Sequence, residues 1–177
     1  MKKILGSLAI VILLAVPSMA QKFAYVDSEY ILQNIPEYND AQAQIDELST
    51  EWQGEVETKF KAIDKLYKDY QVESVLLPDE MKRKREDDII KAEKEAKELQ
   101  KKRFGKDGDL FKKRQELIKP VQDKVFSAIE QVAQAKNYAI IFDKSGSVTV
   151  MWADPKYDIS DDVLDEMGYS FNTRKNK

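Results

Sequence analysis

Asp143, Asp154, Asp158, Asp161 and Asp162 stand close together near the C-terminus, and they are the residues whose spacing most suggests chemistry. Paired carboxylates can divide acid and base duties in a hydrolase, provided that a dry pocket separates their pKa values. Grouped carboxylates can also hold calcium, but that requires an ordered loop with a sharp glycine turn, and the pattern is missing here. Each of these aspartates instead adjoins a turn or a helix start, where Asp commonly accepts from backbone amides. The sequence contains no His and no Cys. Their absence removes the usual general base, the commonest metal ligand, thiol chemistry and disulfide bonding. No catalytic residue, metal ligand or cofactor is expected, and an enzyme is the minority reading.

The elements around these residues indicate a different kind of protein. Lys2 and Lys3 precede a short apolar run, Ile4 to Val16, which Pro17 breaks before Ser18-Met19-Ala20. This is the pattern of a secretory signal peptide over residues 1–20, cleaved after Ala20. The run is well short of the roughly 20 residues needed to cross a bilayer. No Cys follows the junction, so lipid attachment there is not expected. The 29 basic and 32 acidic residues give a net charge of −3, and loss of Lys2 and Lys3 takes it to −5. An acidic chain does not suggest nucleic acid as a partner. With 34% charged residues, six Gly and five Pro, the composition points to long solvated helices rather than a large round core.

Phe23 to Val26 reads as a short strand, followed by a brief helix that Asp27 or Ser28 caps and Pro36 stops. From Glu37 the apolar residues recur every three or four positions: Ala41, Ile45, Leu48, Trp52, Val56, Phe60, Ile63, Tyr67 and Tyr70. That is one packing stripe of a long helix. The helix ends near Leu77, and Pro78-Asp79-Glu80 has the chemistry of a new helix start. A second stripe then runs from Ile89 through Ala92, Ala96 and Leu99 to Val132, with a kink expected at Pro120. Residues 37–119 therefore form an antiparallel helical hairpin with its tip near 78. Tyr138 to Phe142 reads as a strand, Lys144-Ser145-Gly146 as a turn, and Ser147 to Trp152 as a second strand. Ser160 caps a closing helix, Asp161 to Met167, which Gly168 ends. Residues 169–177 read as a flexible tail.

The fold class is α+β, mainly α: a long hairpin arm projecting from a small β-rich body built from residues 21–36 and 120–168. The arm brings the N-terminal strand to the strands at 138–152. Three short strands cannot complete a core alone, so copies are expected to join through them. The residues expected to do so are Phe23, Tyr25, Ile140, Phe142, Val148 and Val150.

The stretches "KFAYVDSEYIL", "NYAIIFDKSGSV" and "WADPKYDISDDVLDEMG" resemble the OmpH/Skp family of periplasmic chaperones. The similarity covers essentially all of the chain after the leader, and the end motifs are more specific than the arm. The resemblance implies a homotrimer whose arms enclose a cavity and hold unfolded outer-membrane proteins without ATP, in the periplasm. The rival from another class is an oligomeric coiled-coil spacer or tether in the cell envelope.

Three features of the arm bear on such a role. Pairing about residue 77 or 78 sets Phe60 near Glu95, Ile63 near Ala92 and Tyr67 near Asp88. Large side chains of the outgoing limb thus face mainly Ala on the return limb, and Phe60, Tyr67 and Tyr70 are candidates for client contact, although close helix packing explains the alanines as well. Gly54, Gly105 and Gly108 fall at one level of the two limbs and mark an expected hinge, since each Gly costs a helix interior up to about 1 kcal/mol. The alternative is a plain break in the return limb. Lys82, Arg83, Lys84 and Arg85 form a basic tip that suits anionic lipid headgroups or acidic client segments, the ordinary alternative being a solvated face.

Overall fold

The computed structural model describes residues 21–146 and 150–169; the leader, Val148 within the second expected strand, and the tail beyond Tyr169 lie outside them. The elements are β1 (Lys22–Val26), α1 (Ser28–Gln33), α2 (Pro36–Glu73), α3 (Asp79–Phe104), α4 (Asp109–Leu117), α5 (Lys119–Lys136), β2 (Tyr138–Asp143), one 3-10 turn (Pro155–Tyr157) and α6 (Ser160–Glu166). The outgoing limb is the single helix α2, 38 residues and therefore about 57 Å long. Pro36 occupies its first turn, where a missing N–H costs nothing.

The return limb is three helices rather than one. It is broken at Gly105–Gly108, as the alternative reading of the glycines has it, and again, unexpectedly, at Ile118. Pro120 does not kink a continuous helix. It sits in the first turn of α5, where its fixed φ suits a helix start. At the other end of α5, Asn137 takes the left-handed conformation (φ 55°) and turns the chain directly into β2.

β1 and β2 pair in parallel, with Phe23 opposite Ile140, Ala24 opposite Ile141 and Tyr25 opposite Phe142. A parallel pair needs a long crossover. Here the crossover is the entire arm. The second edge of β1 is met by an isolated bridge from Tyr25 to Asp158, and Ile159 N–H donates to Tyr25 O at 3.0 Å. The expected hairpin after β2 does not form in the described part: Val150 and Trp152 lie outside any strand. The turn chemistry explains this. Lys144 N–H donates to Val26 O, and the Ser145 hydroxyl lies 2.8 Å from that of Ser28. As far as Ser145, the chain leaving β2 is thereby tied towards β1 and α1.

The core lies on one side of this sheet. Val121, Val125, Ala128 and Val132 recur at helical spacing along α5 and meet Ala24 and Val26 of β1. Ile31 and Leu164, from α1 and α6, close the cluster and are fully buried.

The aspartates that suggested chemistry hold the loops of this body. Asp27 accepts from Tyr30 N–H at 3.0 Å and so caps α1. Asp143 accepts from the Ser28 hydroxyl at 2.6 Å and from Ser28 and Ser145 N–H, each at 3.1 Å. Asp158 accepts from Ser160 N–H and Oγ, and Ser160 Oγ in turn accepts from Asp27 N–H at 2.9 Å. Asp154 accepts from Lys156 N–H, Asp161 from the Tyr30 hydroxyl, and Asp162 pairs with Lys136.

Two of these carboxyls are held below their ordinary pKa. For Asp27 the leading cause is the Tyr30 N–H bond. For Asp143 burial acts upwards, but the bonds from Ser28 and Ser145 outweigh it. Groups with depressed folded pKa values add stability that is complete above the unfolded value, near 3.8, and is lost as pH falls through the folded values. Thermal unfolding should therefore show no contribution from them to pH dependence at neutral pH and a loss in strong acid. Asp143→Asn should flatten the acid limb. A strong fall in stability between pH 7 and 5 that D143N abolishes would contradict the assignment. A second expectation concerns packing: Ile31→Ala should cost about 2–5 kcal/mol in urea unfolding, against about 0.5 kcal/mol or less for the exposed Arg83→Ala.

Candidate functional site

Neither an enclosed acidic pocket nor a metal constellation emerges among the described residues, where no group of three acidic side chains is placed to hold an ion. The noteworthy surfaces are two apolar ones, at the base and along the arm.

At the base, the sheet covers its core with one face and leaves the other open. Phe23, Ile140 and Phe142 are each between 42% and 49% exposed. Met151 and Trp152, in the segment that follows, are 91% and 80% exposed. Phe23 and Phe142, with Tyr138, Val150, Trp152 and Tyr157, line an open cleft of about 900 Å³. Tyr25 is the exception among the expected assembly residues, being buried within the chain's own fold beside Asp158. Its hydroxyl is pushed above its ordinary pKa, chiefly by burial. Val148 lies outside the described residues. Open apolar patches and unpaired strand edges are features that association surfaces share, and this sheet has both among the described residues.

Along the arm, α2 buries Ala41, Ile45, Trp52, Val56 and Ile63, whereas α3 buries only Ile89 and Ala96. Beyond Ile63 and Ile89 no arm residue is buried. The distal seam is instead tied by polar links. Tyr67 donates to Glu93 at 2.7 Å, Tyr70 donates to Glu86, and Arg85 donates to Glu73 at 3.0 Å. Both phenols are held above their usual pKa, first by these bonds to carboxylates. The pairing is a few residues farther along than the sequence suggests: Tyr67 reaches Glu93, not the Asp88 expected opposite it.

Phe60 and Tyr67 remain 39% and 43% exposed, while Tyr70 is half-buried. Tyr67 and Tyr70 thus bridge the seam, and Phe60 and Tyr67 also present ring surface to solvent. Reading the sequence alone missed Ile90, 61% exposed on α3. It lies between Glu86 and Glu93 at helical spacing, so it belongs to the flank that the two phenols reach. Its place in a run of charged residues, next to the buried Ile89, hid it: either isoleucine could have been the seam residue.

The three glycines do fall at one level, since Glu55 pairs with Arg103 across the seam. They are not equivalent. Gly54 lies within the unbroken α2, and Gly105 and Gly108 bound the gap between α3 and α4. The basic tip is partly neutralised by its neighbours. Lys82 lies 3.7 Å from Asp79 and Arg85 pairs with Glu73, while Arg83 and Lys84 are exposed. The tip is also apolar, with Val75 and Leu76 more than four-fifths exposed.

Comparison with known proteins agrees with this architecture. None of the curated proteins matches the chain. Among solved structures, it is similar to the crystal structure of a protein described as an OmpH-like outer membrane chaperone from Caulobacter crescentus CB15, with a TM-score of 0.65 and 16% identity over 89% of this chain and 91% of that one. At that identity the likeness concerns the fold: a mainly helical α+β chain with a long hairpin and a small sheet. The sequence itself matches the family described as Outer membrane protein (OmpH-like) over residues 22–167, from the first strand to the closing helix. This chain belongs to the OmpH-like family.

Proposed function

We propose that this protein is an ATP-independent periplasmic holdase, a homotrimer that keeps unfolded outer-membrane proteins from aggregating in a cavity between its arms. The observation that carries the reading is apolar surface left open along the outer arm, where Phe60 and Tyr67, on either side of the last buried residue Ile63, keep about two-fifths of their surface exposed although they sit on the packing stripe of α2. An unfolded barrel protein offers alternating apolar side chains and no fixed shape. Many modest contacts, each worth about 25 cal/mol per Å² of apolar surface covered, hold such a client without demanding complementarity. Confinement among several arms raises the local concentration of contact sites, so each can stay weak and reversible.

The base supports the trimeric part of the reading. Its open sheet face is apolar and lies at the root of the arm, so copies that share it would set their arms around a common space. The family and the chaperone description of the structural neighbour favour the same role. A spacer or tether fits less well. It calls for sealed seams and continuous struts, whereas the return limb is broken at Gly105–Gly108 and the distal seam is polar and loosely buried.

The test uses light scattering from a urea-unfolded barrel protein diluted into buffer. Replacing Phe60, Tyr67 and Tyr70 together with Ser should raise several-fold the amount of protein needed to suppress aggregation, with sedimentation of the assembly unchanged. Tyr67→Phe with Tyr70→Phe removes the bonds to Glu93 and Glu86 but keeps the rings, and should hold clients nearly as well as the natural chain. Undiminished holding by the triple Ser variant would sink the proposal. Parallel loss of holding and assembly would assign the aromatics to packing alone.

A further inference from the structure

Arg103 makes the most densely connected side-chain node in the arm. Its guanidinium donates to Glu55 Oε2 through two nitrogens, at 3.1 and 2.9 Å, and to Asp109 Oδ2 at 2.8 Å. It also lies over the Trp52 ring, 4.7 Å from the centroid. These partners come from three helices. Arg103 belongs to the last turn of α3, Asp109 opens α4, and Trp52 and Glu55 stand on α2. The side chain is only 22% exposed, so its ion pairs are less screened than the arm's surface pairs.

The gap it spans is a tight one. A Cβ at Gly105 would lie 2.3 Å from Lys101 O, and one at Gly108 would lie 2.8 Å from Lys102 O. Both glycines have ordinary negative φ angles, so it is close backbone approach, not a left-handed conformation, that requires them. Backbone continuity of the helix is lost there, with Gly108 N–H donating to Gly105 O in place of a helical bond. On the outgoing limb at the same level, Gly54 has open space around the position of a Cβ, and the Thr58 hydroxyl donates back to Gly54 O at 2.8 Å. Such back-bonding tends to bend helices.

We infer that Arg103 is a positioning residue: its contacts with Glu55, Asp109 and Trp52 form a clasp that sets the angle of the distal arm across the Gly105–Gly108 break. With the clasp closed, α4 and α3 are locked to α2 as one strut. With it open, Glu55 and Asp109 lose the cation between them, and bending falls on α2 at Gly54. The clasp therefore governs how far the flank bearing Phe60 and Tyr67 stands from the axis of the assembly. Its consequence for client size rests on the holdase reading; the clasp itself does not.

Amide exchange on the full assembly, without client, tests it directly. Arg103→Gln should raise exchange about tenfold in residues 50–58 and 101–112 and change it less than twofold in residues 121–132 of the base. Arg103→Lys keeps the charge but cannot fork to both carboxylates, so it should fall between. Adding Gly54→Ala to Arg103→Gln should restore protection to residues 50–58, because the new methyl meets open space and stiffens α2. Unchanged arm exchange in R103Q, or an equal rise in the base, would overturn the clasp. Failure of G54A to restore protection would overturn Gly54 as the bending point. A separate assay, comparing a short and a long barrel protein, should show R103Q favouring the long one severalfold. No shift there, with exchange altered as expected, would count against the holdase reading and leave the clasp standing.

Discussion

A parallel pair of short strands has to be joined by a long crossover, and in this chain that crossover is the whole arm. The constraint shapes everything else. β1 and β2 are brought side by side only because α2 goes out and the return limb comes back by the same distance. The pair then covers α5 with one face and leaves Phe23, Ile140 and Phe142 on the other. A sheet of two strands is not independently stable in water. It is supported within the chain by α5, α1 and α6, and its other face is open among the described residues.

The arm changes character along its length. Near the base and at its middle it is a packed hairpin, with Ile45, Trp52, Val56 and Ile63 buried on α2. Towards the tip, burial gives way to phenol–carboxylate and Arg–carboxylate links, which are exposed and individually weak. Helices in proteins owe most of their persistence to packing. The distal arm is accordingly the less stable part, and it is also where aromatic and aliphatic surface remains accessible. In the proposed holdase role, looseness and the capacity to hold varied apolar segments come from the same residues.

Much of this was legible in the sequence, and the misses have physical reasons. Helical periodicity located both limbs, and Pro78-Asp79-Glu80 located the turn, because those signals are local. The aspartates were legible as loop-holding groups because turn chemistry is local too. The meeting of the two ends of the chain was legible too, since the folded-back arm had to bring the strand at Phe23 to those at 138–152. Direction and register were not: alternation tells which residues share a face, but not that β1 and β2 run parallel with Phe23 opposite Ile140. The ties from Ser145 and Lys144 to Ser28 and Val26, more than a hundred residues away, were equally out of reach of local signals. Arg103 was invisible for a similar reason: in a run of Lys and Arg nothing distinguishes the one that meets Trp52 and two carboxylates.

In the proposed assembly, further copies of the same chain cover the open face of the β1–β2 sheet. Molecular mass in solution, measured by sedimentation equilibrium at micromolar concentration, tests it most directly. The account predicts three chains per particle, with Ile140→Glu plus Phe142→Glu shifting the mass towards one. A stable single chain, folded and unassociated with that apolar face open to water, would contradict it.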